Sequence, residues 1–369
     1  MSASVLAVVG ARPNFVKMAP VLAGLERNEE ISVRLLHTGQ HYDRALSDGF
    51  IERLGMRDPD ANLGVGSGTH AEQTAAAMVG VERDLIEHRA DLLLVGGDVN
   101  STMAAALAAA KLQVAVAHIE SGLRSRDWTM PEEVNRVVAD RVSELCLCTS
   151  ADAVDNLAAE GIAGDGTRLV GNTMIDSLHR ILEGVDRPAV LAELGVERRG
   201  FALVTLHRPA LVDHAERLGA VIDVLGEVGV TLPVLLPAHP RTIARLQDAG
   251  IALPKGVRML EPLDYDRFIA LEAEARLVIT DSGGVQEETS VLGVPCITYR
   301  TTTERPITIE LGTNRLVGAD PGALAAACSE ELSREPPQRP PEIPLWDGQA
   351  GPRAAAAVAS HLARRPVSI

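Results

Sequence analysis

The feature that most limits the fold is a set of short apolar runs that do not alternate with polar residues. They occupy residues 5–9, 33–36, 92–95, 114–117 and 145–148, each followed by small or polar residues. A strand with one face in water alternates. A run that is apolar throughout belongs to a strand buried on both faces, as in a parallel sheet covered by helices. Segments with helical spacing lie between the runs, at residues 17–27, 72–88, 102–112 and 133–141. This alternation predicts a doubly wound α/β domain.

The same grammar restarts at residues 202–206 and continues at 234–236, 277–280, 296–299 and 315–317, which predicts a second domain of the same kind. A length of 369 residues agrees with two domains at about 100 to 200 residues each. The expected boundaries are 1–175 for the first Rossmann-like domain, 176–200 for a hinge carrying Pro188 and the charged Glu197-Arg198-Arg199, and 201–350 for the second. The Pro-rich residues 335–344 are expected as an extended crossover, and residues 351–369 as a terminal helix packing back on the first domain. Ligands of open parallel sheets lie beyond the carboxyl ends of the strands, so the active site is expected in a cleft between the domains.

Hydrophobic residues make up 46% and charged residues 23%, the balance of a folded chain rather than a disordered one. The 50 acidic and 35 basic residues leave a net charge of −15, which argues against general binding to nucleic acid or to an anionic membrane. With only 2% aromatics and no basic run interleaved with them, base-stacking binders of single strands are poor candidates as well. Cys146, Cys148, Cys296 and Cys328 lack metal-ligand spacing and are expected to be core or free thiols, so no metal is expected. The chain opens into its first apolar run without a basic leader, and no apolar stretch approaches the roughly 20 residues of a spanning helix. A cytoplasmic protein is the expectation.

Two glycine turns point to phosphate. Gly10-Ala11-Arg12-Pro13-Asn14 follows the first run, with Lys17 at the start of a helix, and it sets two cations and a helix N-terminus at a strand end. It is not the G-x-G-x-x-G fingerprint, and no G-x-x-x-x-G-K-[ST] loop occurs, so neither a nicotinamide cofactor nor P-loop chemistry is expected. In the second half, Ser282, Gly283 and Gly284 directly follow a strand and can offer a hydroxyl and backbone N–H groups to a diphosphate. Glu288, one turn further on, can accept from both hydroxyls of a ribose. Thr303-Glu304-Arg305-Pro306 adds a polar loop ending in a cation.

Carboxylates and histidines gather in the remaining loops. Asp98 and Glu120 each follow an apolar run, Glu132 and Glu133 precede Arg136, and His207 and His239 end strands of the second half. Carboxyl groups converging near arginines supply an acid and a base when their environments differ.

Taken in order, these motifs resemble a known family. Gly-Ala-Arg-Pro at 10–13, Thr38-Gly39-Gln40-His41, Gly97-Asp98, His118-Ile119-Glu120-Ser121-Gly122-Leu123-Arg124, Pro131-Glu132-Glu133-Val134-Asn135-Arg136, Gly171-Asn172-Thr173, His207-Arg208, Asp281 through Glu288, Thr303 through Pro306 and Gly312-Thr313-Asn314 are similar to those of the non-hydrolysing UDP-N-acetylglucosamine 2-epimerases. The resemblance implies a GT-B architecture with UDP held mainly by the second domain. It implies interconversion of UDP-GlcNAc and UDP-ManNAc through a bound 2-acetamidoglucal, without metal or other cofactor, by a homodimer. The implied catalytic residues are Asp98, Glu120, Glu132 and His207. Arg12, Lys17, His239, Ser282, Gly283, Gly284, Glu288 and Arg305 are the implied contacts to UDP and sugar, with uracil near residues 262–268.

Three positions depart from the family pattern, with Asn14, Ala210 and Ile307 standing where polar residues are usual. Gln40, His41 and Arg208 match groups that bind a second substrate molecule as an activator. Residues 72–78 lack the arginine that completes that site, which implies weakened or absent activation. The alternatives that remain are a hydrolysing 2-epimerase releasing ManNAc and UDP, a GT-B glycosyltransferase, and a non-catalytic nucleotide-sugar sensor.

Overall fold

The computed structural model describes residues 2–39, 51–238 and 240–364, with the Arg12 side chain outside that description. Two compact units divide the chain, one formed by Met1–Arg180 with Pro344–Ile369 and the other by Ile181–Ile343.

Unit one is built on a parallel sheet of seven strands ordered β3-β2-β1-β4-β5-β6-β7. Its elements run β1 (Ala3–Val9), α1 (Arg12–Leu25), β2 (Ile31–His37), β3 (Ala61–Asn62), α2 (His70–His88), β4 (Leu92–Gly96), α3 (Asn100–Lys111), β5 (Ala115–Ser121), α4 (Pro131–Val142), β6 (Leu145–Cys148), α5 (Ala151–Ala159), β7 (Thr167–Leu169) and α6 (Thr173–Gly184). Every residue of β4, β5 and β6 is buried, as the unbroken apolar character of β4 and β6 requires, and β5 buries His118, Glu120 and Ser121 along with its apolar residues. Two helices start earlier than their hydrophobic spacing suggests. Pro13 and Pro131 sit in the first turn of α1 and α4, where a missing N–H costs nothing. Thr69 and Glu72 close a reciprocal capping box on α2, an arrangement worth about 1 kcal/mol.

Unit two repeats the plan with a six-stranded parallel sheet ordered β10-β9-β8-β11-β12-β13. Its elements are α7 (Arg187–Leu194), β8 (Ala202–Thr205), α8 (Pro209–Val212), α9 (Ala215–Thr231), β9 (Val234–Pro237), α10 (Pro240–Asp248), β10 (Val257–Leu260), α11 (Tyr265–Glu274), β11 (Leu277–Thr280), α12 (Gly283–Leu292), β12 (Cys296–Thr298), α13 (Ile307–Glu310), β13 (Asn314–Leu316) and α14 (Pro321–Ser333). Successive strand residues feed opposite cores. Ala202, Val204, Leu277 and Ile279 pack with α9 and α14, while Leu203, Val278 and Leu235 pack with α7 and α11. Both faces are thus covered, which is why these strands carry no polar alternation.

Residues 176–200, expected as a hinge, are largely helical as the end of α6 and the whole of α7, and the units divide between Arg180 and Ile181. Residues 344–350, expected with the second domain, group with unit one. The Trp346 indole donates to the Thr149 carbonyl at 3.0 Å, and the Asp176 carboxylate accepts from the N–H groups of Ala350 and Gly351 at 3.1 and 2.7 Å. These bonds anchor the start of the last helix, α15 (Ala350–Arg364), which packs against α1.

The four cysteines are buried and unpaired. Burial pushes the Cys146, Cys296 and Cys328 thiols up to about 12, which makes them inert packing groups. Among the described residues no helix is long and apolar enough to cross a membrane.

Candidate functional site

In a doubly wound sheet the strand order reverses at one point, and the loops beyond the carboxyl ends there form the natural binding site. In unit one that point lies between β1 and β4. Asn14 closes the turn after β1. Its Oδ1 accepts from the N–H groups of Gly10 and Ala11 at 3.1 Å each, and its Nδ2 donates to the Gly96 carbonyl at 2.7 Å. A glutamate could accept the first two bonds but has no proton for the third when ionised. Asn14 is therefore a joint between the two central strands.

One turn further on, buried Lys17 forms an ion pair with Glu120, at the end of β5. Lys17, expected on the phosphate side, has its ammonium against Glu120, one of the candidate acid–base carboxylates. Glu120 has a left-handed backbone, φ +68°, and stands where the pairing of β5 with β6 shifts register between Ile119 and Ser121. A bulge of this kind re-aims a side chain, and the backbone conformation costs about 1–3 kcal/mol for a residue other than glycine. Gly97, at φ +69°, leaves room for the pair, since a Cβ there would lie 2.9 Å from Lys17 Nζ and 3.3 Å from a Glu120 oxygen.

Asp98 comes next, its carboxylate paired with Arg136 of α4 and its carbonyl accepting from Asn135 Nδ2 at 2.9 Å. The other edge of Arg136 meets Glu133, whose carboxylate also accepts from Ser125 N–H, Ser125 Oγ and Arg126 N–H at 2.9 Å each. Burial opposes the charge on Glu133, but those N–H groups and Arg136 outweigh it and hold the carboxyl below the usual glutamate range. Glu133 thus folds the loop before α4 and aims Arg136. Glu132, half-buried in the same helical turn, is the neighbouring carboxylate.

The sequence reading overlooked the support beneath this cluster. His118 is fully buried, its Nε2 donating to the Gly97 carbonyl at 2.8 Å and its Nδ1 lying 2.7 Å from Asp140 Oδ1. The second Asp140 oxygen accepts from Gly122 N–H at 3.0 Å and Arg124 at 2.7 Å, while Arg124 forks onto Glu160 through two bonds of 2.7 Å. Burial works against the Asp140 charge, yet His118 and Arg124 prevail and hold its carboxyl below the usual range. The chain fixes the peptide that precedes Asp98 through this network. In the sequence His118 and Arg124 stand out only as members of the His118–Arg124 motif, and Asp140, between Ala139 and Arg141, carries no signal.

In unit two the reversal lies between β8 and β11. Asp281, at the end of β11, is buried and accepts from the backbone N–H groups of His207 and Arg208 at 2.9 and 2.8 Å. His207 Nδ1 lies 3.0 Å from its other oxygen, and the His207 side chain remains 44% exposed. Burial opposes the Asp281 charge, but His207 and the N–H groups overcome it and keep the carboxyl below its ordinary range. The ring is thus oriented through Nδ1, which leaves Nε2 for chemistry.

Ser282 caps α12 through its backbone alone, with no side-chain capping bond. The first N–H groups of a helix have no partner inside it, so Ser282, Gly283 and Gly284 offer donors at the end of β11. A Cβ on Gly283 would lie 2.5 Å from Arg305 Nη1 and 2.7 Å from Glu304 Oε1. Arg305 therefore lies directly against the glycine turn, buried between Glu287 at 2.9 Å and Glu304. Gln286 joins loop to helix, donating to the Ser282 carbonyl at 3.0 Å and accepting from Thr303 Oγ1 at 2.7 Å and Asn314 Nδ2 at 3.0 Å. Glu288, buried in α12, accepts from the Tyr265 hydroxyl at 2.5 Å. Arg208 Nε donates to the Asp281 carbonyl at 2.8 Å. Of the departing positions here, Ala210 is exposed and Ile307 is buried. Gln40, His41 and His239 lie outside the described residues.

Two Rossmann-like units, each with polar side chains gathered at its own switch point, one rich in carboxylates and the other offering a helix N-terminus and an oriented histidine, define an enzyme of the GT-B class that handles nucleotide-linked sugars. The family described as UDP-N-acetylglucosamine 2-epimerase matches residues 23–359, and this chain belongs to it. A UDP-N-acetylglucosamine 2-epimerase of Methanocaldococcus jannaschii is 38% identical over 355 residues, covering 94% of this chain and 96% of that protein. The crystal structure of the Methanocaldococcus jannaschii enzyme in complex with UDP-GlcNAc and UDP superposes with a TM-score of 0.89 at 36% identity, covering 97% and 99% of the two chains. A UDP-2,3-diacetamido-2,3-dideoxy-D-glucuronate 2-epimerase of Pseudomonas aeruginosa is 37% identical over 365 residues, or 98% of this chain and 99% of that one.

Proposed function

We propose that this chain interconverts UDP-GlcNAc and UDP-ManNAc without releasing the free sugar. The C2–H bond gives its proton to a carboxylate and its electron pair to a new C1–C2 double bond, while the C1–O pair leaves with UDP. Return of UDP to C1, with a proton delivered to the opposite face of C2, gives the epimer. A proton at C2 is weakly acidic, so the step needs a positioned base and a stabilised leaving group.

The observation that carries this reading is the pair of strand-end carboxylates, Asp98 and Glu120, each fixed by a cation in unit one. With Glu132 they are the proton carriers. His207, oriented by Asp281, assists the departing diphosphate. The α12 N-terminus with Ser282, Gly283 and Gly284 receives that diphosphate, backed by Arg305, and Glu288 takes the ribose. Of these two cations Arg12 is left for the phosphate side of unit one, while Lys17, paired with Glu120, holds that carboxylate in place. A homodimer and a cytoplasmic location belong to the same reading.

The Pseudomonas aeruginosa relative supports a second substrate, a diacetamido uronic acid carried on UDP and altered at the same carbon. Proton NMR in deuterium oxide, with each UDP-sugar supplied separately, tests both. UDP-ManNAc carrying deuterium at C2 is the expected product. Free ManNAc would mean a hydrolysing enzyme, and turnover of the diacetamido uronate alone would move the substrate assignment.

A further inference from the structure

Behind Glu288 lies a carboxyl group that the reaction does not use. Glu272, from α11, is 0% exposed, and neither of its oxygens has a hydrogen-bond donor within reach. It faces the carboxyl of Glu288, which projects from α12, the helix packed against α11. Glu288 is 3% exposed and is held on Oε1 by the Tyr265 hydroxyl at 2.5 Å. Two carboxylates in contact and out of water do not both ionise. A proton on Glu272 gives its side chain the one bond the surroundings allow, an O–H donating to the Glu288 carboxylate.

We propose that Glu272 is a positioning residue for the nucleotide, a protonated carboxylic acid whose hydrogen bond, together with that of Tyr265, fixes the Glu288 carboxylate for the ribose hydroxyls. The inference deepens the proposed function and rests on the assignment of Glu288 to the ribose. Burial, and then the neighbouring Glu288 charge, push the Glu272 carboxyl well above the usual range, and burial raises Glu288 as well. The other groups that act on the pair are Tyr265 on α11, Arg305, whose charge favours ionised Glu288, and the Cys296 thiol of β12, which feels the Glu272 charge. Arg305 also serves Glu287 and Glu304, so loss of the Glu272 proton would place a second negative charge against Glu288. Nucleotide affinity therefore falls as that proton is lost.

The test is calorimetric titration of the full chain with UDP and with 2′-deoxy-UDP from about pH 6 to about pH 9. The deoxy compound carries the same diphosphate, so its profile removes the diphosphate's own titration. Wild-type affinity for UDP is expected to fall about tenfold more than that for 2′-deoxy-UDP across this range. Glu272→Gln keeps a donor that cannot ionise, so it should match wild type at the acid end and stay flat. Glu272→Leu removes the donor and should bind UDP weakly at every pH while melting no lower than wild type. Leu and Gln variants that behave alike, or a Leu variant that keeps the wild-type preference for UDP over 2′-deoxy-UDP, would overturn the proposal. Glu288→Gln separates the two readings. If it leaves UDP affinity and the preference over 2′-deoxy-UDP unchanged, the ribose assignment itself fails, whereas a loss there combined with Glu272→Leu and Glu272→Gln variants that bind alike rejects only the role of Glu272.

Discussion

At Glu120 three costs are concentrated in one residue: a left-handed backbone, a break in strand register and the burial of an ion pair with Lys17. Removing one partner of a buried pair strands the other, at a cost of about 3–5 kcal/mol. Glu120→Gln should therefore lower stability by roughly that amount and slow epimerisation by about 100-fold or more. Adding Lys17→Met removes the stranded ammonium, so the double variant should recover most of the stability and none of the activity. Urea unfolding and deuterium incorporation at C2 measure the two effects separately. A double variant that regains turnover would disqualify Glu120 as a proton carrier. Residues such as Asp98, Glu120, His207 and Ser282 were legible in the sequence because each lies within three positions of the end of an apolar run. Their partners were not, because Lys17 meets Glu120 across 103 positions and Arg136 meets Asp98 across 38, separations that only the folded sheet spans.

Elements were legible where burial on both faces left the strands uniformly apolar, as in β4, β8 and β11. The edge strands β3 and β7, of two and three residues, carry too little apolar pattern to announce themselves. Residues 176–200 contain the division between the units at Arg180 and Ile181, but proline and charge do not make them an irregular linker. Pro188 instead sits in the first turn of α7, with Asp186 capping it through a 3.1 Å bond to Ala189 N–H. The same logic of helix starts governs α12, whose opening turn is closed over Arg305. Gly283→Ala would drive a methyl group to within 2.5 Å of Arg305 Nη1, on a side chain already held by Glu287 and Glu304. The expected outcome is a loss of about 1–3 kcal/mol of stability from overpacking, with UDP affinity down about tenfold as the N–H groups are displaced. Thermal melting and UDP titration check it. Unchanged UDP affinity in a destabilised variant would mean that this turn does not receive the diphosphate.

Across the whole molecule the buried carboxyl groups divide into two sets with opposite effects on stability. Asp140 in unit one and Asp281 in unit two have folded values below the ordinary 3.8, so their contribution is complete above that value and is lost as pH falls through the folded one. Glu272, in unit two, has a folded value above the ordinary 4.5. The folded chain keeps a proton that the unfolded chain releases, so its contribution is complete below 4.5 and drains away as pH rises through the folded value. Acid therefore weakens both units, while the loss on rising pH falls mainly on unit two, where burial raises Glu288 as well as Glu272. In unit one burial raises Asp176, against the N–H groups of Gly351 and Ala350 that favour its charge. The two tryptophans, Trp128 and Trp346, both lie in unit one, so their fluorescence reports that unit alone, whereas circular dichroism reports every helix. Urea midpoints followed by circular dichroism should decline on the alkaline side with little change in tryptophan fluorescence, and Glu272→Gln should flatten that decline and leave the acid limb intact. Fluorescence and dichroism that decline together at high pH would show the units unfolding as one. A decline that persists unchanged in Glu272→Gln would instead remove Glu272 as its source, since no proton would then be left on that side chain to lose.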